Sequence, residues 1–196
     1  MTTPPERLHS VESIHVARER RLRERYGGFS WGADFLGFAV ANFFTVVFLA
    51  LVGAIVGAVG YQMGAPAPKV GGTLSPTSQH LGVGGVIGAL IAIALAYLLG
   101  GYAAGRMARF DGVKNGIGVV LWTIVVGIIL GIIGAVLGTK FNVAGQLHLT
   151  IDAATLTRAG VISLVITLLV MVAAAACGGR MGAAYHRTID REAGVT

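Results

Sequence analysis

The chain has 196 residues, 55% apolar and 12% charged, with 30 glycines, a mean hydropathy of +0.76 and a formal net charge of +6. A soluble domain carries about 25% charged residues, whereas residues 35–68, 70–105, 115–139 and 159–179 carry no Asp, Glu, Lys or Arg at all. Each run exceeds the roughly 20 apolar residues that cross a bilayer core. The chain therefore reads as an integral membrane protein, and its basic balance as membrane-flanking charge rather than a nucleic-acid surface.

The first 28 residues read as a charged cytosolic arm. From Ser10, a candidate N-cap, SVESIHVARERRLRERYGG has the character of a helix, with Glu19–Arg23 and Arg20–Glu24 as opposite-charge pairs one turn apart and Gly27–Gly28 as its stop. A solvated helix near an anionic leaflet and a docking arm for a partner are both compatible with it. A polar N-terminus of this kind is not a cleaved signal peptide, which leaves targeting to the first span.

The first span is expected over about residues 31–63, with Ser30 as N-cap and Trp31 and Phe35 as interfacial aromatics. Asp34 falls in its first turns, at the membrane edge, where a carboxylate suits the positive end of a helix and a proton- or substrate-coupling role is the alternative. Phe38, Phe43, Phe44 and Phe48 fill gaps or face lipid, and Asn42 and Thr45 are candidates for interhelical hydrogen bonds. The loop APAPKVGGTLS is too rich in proline and glycine for regular structure, and Ser75–Pro76 opens the second span, about 76–109. Asp111 caps the third span, about 113–138, after a tight turn. In the next loop QLHLTID alternates like a short strand. His148 and Asp152 there lack the third ligand a metal needs, and no cofactor is implied. The fourth span, about 153–186, holds the only cysteine, Cys177, expected as a small packing residue. With these bounds the membrane domain covers 29–187, and 188–196 is a polar cytosolic tail.

Glycine is placed with a period. Gly53, Gly57, Gly60 and Gly64 recur 74 residues later as Gly127, Gly131, Gly134 and Gly138, each set holding two G-x-x-x-G pairs. That spacing lets another backbone approach closely in lipid. The series joins helices within one subunit or between subunits, and both remain open; either way Gly57→Leu and Gly131→Leu are expected to be more disruptive than Gly84→Leu. Gly100 and Gly101 match Gly178 and Gly179 at an offset of 78, as Arg109 matches Arg187. The expected fold class is thus all-α: four transmembrane helices as two tandem hairpin repeats, plus the cytosolic N-terminal helix. Lys and Arg orient it. Six lie in the arm, three at Arg106, Arg109 and Lys114, and three at Arg180, Arg187 and Arg191, against Lys69, Lys140 and Arg158 on the other side. Both termini are then cytosolic and the hairpins parallel.

Several functions are disfavoured. The sequence has no paired carboxylates in the membrane, no Ser-His or Cys-His arrangement at a shared depth and no H-E-x-x-H, so an enzyme is not expected. A coupled transporter needs an ionisable group near the midplane; no span carries one in its middle, and none of the five prolines interrupts a span. A homo-oligomeric channel lined by small residues and Thr or Asn is the second reading, and a small transporter the third. The basic set Arg106, Arg109, Lys114, Arg180 and Arg187 suits anionic lipid headgroups or an acidic partner.

The segment GGYAAGR (100–106), followed by Lys114-x-Gly116, resembles a pattern in uncharacterised four-span bacterial membrane proteins, in which a GG-x-x-AGR end of the second span precedes a Lys- and Gly-rich start of the third. The resemblance covers about 20 residues and the four-span layout, and the Arg-rich arm departs from it. It implies a bacterial plasma-membrane protein and no chemistry. The first expectation for function is a non-enzymatic scaffold or accessory subunit that acts through glycine-mediated helix association with a membrane-protein partner or a second copy.

Overall fold

The computed structural model describes Ala17, Arg21 and residues 28–64, 76–108, 111–140 and 158–192. Four helices make up almost all of it: α1 (Trp31–Gln62), α2 (Pro76–Met107), α3 (Gly112–Lys140) and α4 (Arg158–Glu192). No strand occurs among the described residues. Each helix is 29 to 35 residues long, and at about 1.5 Å per residue each outreaches a hydrocarbon core of about 30 Å. All four are long and apolar enough to cross a membrane, which places the chain among multi-pass membrane proteins.

The helix limits follow local chemistry. Gly28 adopts φ 113, which an L side chain rarely tolerates, as the chain turns into α1. Ser30 occupies the N-cap position, and its carbonyl accepts from the Asp34 N–H at 2.9 Å, but its side chain makes no capping bond. At the other end Gly64 turns left-handed at φ 64. The N–H groups of Met63 and Gly64 return to Val59 and Tyr61 carbonyls, so Gly64 stops the helix rather than packing another against it. Asp111, before α3, also has positive φ, and its carbonyl accepts from Asn115 N–H. The fourth helix runs on through Glu192, into the segment expected as a polar tail. The expected start of that span at 153 and the strand-like Gln146–Asp152, with His148, fall outside the described residues. So does the arm helix apart from Ala17 and Arg21, both helical.

The helices alternate in direction, and α2 is central, packing along α1 on one side and α4 on the other; α3 touches all three. Packing is uneven along the bundle axis. Around Ser30, Gly105, Gly112 and Gly182, here called the closed end, the helices meet. The core there is small: Ala41, Ala96, Ala104, Val119 and Ala175 are fully buried, with Phe38, Ile93, Leu168 and Met171 around them. At the opposite, open end, residues 127–137 of α3 and 160–166 of α4 are exposed on every face. The large exposed side chains there are Ile, Leu and Val, a surface suited to lipid or another apolar helix and not to water.

Candidate functional site

Two features at the closed end stand out, a glycine seam and a buried polar cluster set into it. The seam is built from G-x-x-x-G pairs on three helices: Gly101 and Gly105 on α2, Gly112 and Gly116 on α3, Gly178 and Gly182 on α4. A side chain at Gly101 would strike the backbone of Ala175, one at Gly105 that of Gly179, and one at Gly178 the Leu98 carbonyl and Tyr102 nitrogen. Gly112 and Gly116 of α3 meet Gly179, Ala175 and Ala183 of α4 in the same way. On α1 the matching positions are Gly37 and Ala41. A Cβ at Gly37 would sit 2.7 Å from the Gly100 carbonyl oxygen, and one at Gly100 would sit 2.6 Å from Ala41 Cβ. Without a cohesive difference between lipid tails and side chains, this close approach and the dispersion it brings hold such helices together.

Of the glycines picked out in the sequence, Gly100, Gly101, Gly178 and Gly179 lie in this seam. Gly53, Gly57, Gly127, Gly131, Gly134 and Gly138 do not: among the described residues no other helix comes within 4 Å of a Cβ at any of them, and Gly64 is the stop of α1. Gly60 is buried. The ranking of Gly57 and Gly131 above Gly84 has no basis within the chain, because all three face open space. Gly105, read in the sequence as part of a thin, close-packing end of the second span, lies in the seam too, whereas the sequence reading gives no packing role to Gly37, Gly112, Gly116, Gly118 or Gly182. The signal was present, since 101/105, 112/116 and 178/182 share the G-x-x-x-G spacing.

The polar cluster joins α1 to α3. Asn115 is fully buried. Its Oδ1 accepts from the Ser30 N–H at 2.8 Å, and its Nδ2 donates to the carbonyls of Gly28 and Asp111, each at 3.1 Å. One side chain thus fixes where the chain enters α1 and where α3 begins. One turn further along α3, Gly118 lies against the Asp34 carboxyl; a Cβ there would fall 2.5 Å from Cγ of Asp34. Asp34 is therefore enclosed by α3 and does not merely sit at a helix end. It is 1% exposed, and its Oδ1 has no hydrogen-bond partner. Another turn along, Trp122 receives Trp31 and Phe35 edge-on, with ring centroids 6.1 and 5.1 Å away. Its Nε1 is also buried without a partner.

Other expectations are revised. Asn42 and Thr45 do not bridge helices; they donate to the carbonyls of Phe38 and Ala41 in their own helix, at 2.9 and 2.8 Å. The interhelical hydroxyl bond is Tyr97–Thr123, at 2.9 Å between α2 and α3. Cys177 is exposed, not packed. Of the basic set, Lys114 pairs with Asp111 at 3.3 Å, and Arg106 donates to the Tyr102 hydroxyl at 3.0 Å. Arg180 is exposed, Arg109 lies outside the described residues, and Arg187 is described only as helical backbone. No group of three His, Cys, Asp or Glu able to hold a metal occurs among the described residues.

The closed end thus defines a class: a polytopic helical membrane protein whose helices are joined at one end by glycines. No protein-family model, curated protein or solved structure matches this chain.

Proposed function

We propose that this protein is a non-enzymatic membrane scaffold or accessory subunit that associates with a second copy of itself through the open ends of its helices. The observation that carries this reading is the position of the glycine series. Gly53, Gly57, Gly127, Gly131 and Gly134 have the spacing of close-packing helices, yet among the described residues nothing occupies the space before them. They lie among uncovered Ile, Leu and Val of α1 and α3. That surface suits the close approach of a backbone from a second copy.

The reading includes a bacterial plasma membrane and two tandem parallel hairpins, α1–α2 and α3–α4. The Lys and Arg distribution supports cytosolic termini, with the closed end on that side. Arg106, Arg109, Lys114, Arg180 and Arg187 then lie at the level of anionic headgroups. A homo-oligomeric channel requires the same intermolecular surface, arranged as a ring.

Cysteine cross-linking in native membranes tests the association. In a Cys177→Ala background, Gly131→Cys is expected to give a disulfide-linked dimer and Val83→Cys none. Absence of cross-links at Gly57, Gly127 and Gly131 alike sinks the reading. Native mass spectrometry of the same protein separates a dimer from the larger ring a channel needs.

A further inference from the structure

We propose that the Asp34 carboxyl is a proton-binding site, and that taking up or losing its proton moves it between its place against Gly118 and the indole N–H of Trp122. Four observations at the α1–α3 contact carry this. First, Asp34 is the one ionisable group in α1 before its final turn, and it is 1% exposed. An ionisable side chain inside a membrane segment is costly, and such groups persist where they bind or relay something.

Second, among the described residues no cation bonds it. The elements packed on this part of α1 are α3 and α2. From α3 the charged groups are Asp111 and Lys114, which pair with each other at 3.3 Å. From α2 the titratable groups are Tyr97, bonded to Thr123, and Tyr102 and Arg106, bonded to each other. None of these bonds Asp34. A buried carboxyl with no cation can change charge only by exchanging a proton with water: the acid O–H bond breaks, the electron pair stays on oxygen and the proton leaves to solvent.

Third, the site is accommodated by one glycine. Any side chain at position 118 would occupy the space of the carboxyl. Fourth, an unpaired donor lies one turn of α3 beyond the unpaired acceptor. Oδ1 has no donor in its present position, and the Trp122 Nε1–H, one turn along the same face of α3, has no acceptor. Phe35, the neighbour of Asp34 in sequence, already touches that indole. An orphan acceptor and an orphan donor one turn apart form a two-position element, and protonation decides which position is better, because an ionised carboxylate gains most from an N–H donor.

The protein carries its own reporter. It has two tryptophans, and Trp31 and Trp122 both lie in this cluster. Intrinsic emission of the full chain in nanodiscs, titrated over about pH 4 to 9, is expected to show a single-proton step. Asp34→Asn abolishes the step. Trp122→Phe keeps it through Trp31 but moves its midpoint, because the carboxylate loses the N–H donor of its second place. Emission that is flat in the wild type, or an unchanged step in Asp34→Asn, overturns the proposal. A second measurement needs no variant. A membrane-permeant carbodiimide captures a protonated carboxyl, whose O–H adds across one C=N bond before rearranging to a stable N-acylurea. Mass spectrometry is expected to find this adduct on the Asp34 peptide at a pH-dependent rate. No adduct at any pH overturns the proposal. Neither readout depends on the oligomeric state, so this proposal and the self-association fail separately.

Discussion

The two ends of the bundle contain the same motif and treat it oppositely. At the closed end, Gly101/Gly105, Gly112/Gly116 and Gly178/Gly182 bring three backbones into contact. At the open end, Gly53/Gly57 and Gly127/Gly131 have the same spacing and meet nothing among the described residues. Spacing alone therefore does not make a helix contact. It makes a flat, low-relief strip on one helix, and contact requires a strip on the facing helix at the same depth. At the closed end that condition holds for α2, α3 and α4 together. At the open end α1 and α3 each have a strip, but the helix packed on α1 is α2, which presents Val-facing Gly85 and Gly88 there instead. One end is fixed by its own chain, and the other is left for lipid or another chain.

The largest expected effect strikes the seam. Gly179→Leu places a branched side chain against the backbone of Gly112 and Gly116. Backbone cannot swing aside as a side chain can, so the loss should exceed about 3 kcal/mol, the upper range for overpacking. Size-exclusion chromatography in detergent is expected to show aggregate instead of a monodisperse peak. A wild-type thermal midpoint for this variant would remove the seam as the source of cohesion.

Asn115→Ala comes next. It leaves the Ser30 N–H and the Gly28 carbonyl without their partner at the start of α1. Stranding such groups costs about 1–3 kcal/mol, to be read as a drop in thermal midpoint together with faster amide exchange at Ser30. Unchanged exchange there would show that the turn at Gly28, not Asn115, holds the segment. A smaller loss is expected for Tyr97→Phe, which removes the α2–α3 hydroxyl bond to Thr123. Bonds of this kind inside membrane bundles average about 0.6 kcal/mol, so a loss well above that would mean Tyr97 contributes chiefly by packing.

Much of the fold was legible in the sequence, because charge-free runs and turn residues leave little choice of helix limits. The expected 31–63, 76–109 and 113–138 differ from α1, α2 and α3 by a residue or two at each end. The site was less legible. Asp34 reads as a carboxylate at the helix start and membrane edge because it lies four residues past Ser30, and nothing local announces that Gly118 of α3 lies over it. Asn115 was invisible for the same reason: its partners are 85 and 87 residues away. The sequence also overvalued the series with the cleaner repeat. Periodicity at one offset shows that two segments are alike, which is a different property from being opposite each other in the bundle.

The smallest expected effect separates the two ends most sharply. Gly131→Leu adds a large side chain where nothing of the chain lies within 4 Å. Its effect on thermal stability of the isolated protein in detergent should stay within about 0.5 kcal/mol, as for substitutions away from any contact, and Gly57→Leu and Gly84→Leu should match it. If the open end pairs with a second copy, Gly131→Leu and Gly57→Leu lose the cross-linked dimer in membranes while their detergent stability is unchanged, and Gly84→Leu keeps both. A stability loss at Gly131 in the monomer would mean that the open end closes on itself, and that the contrast between the two ends is one of degree.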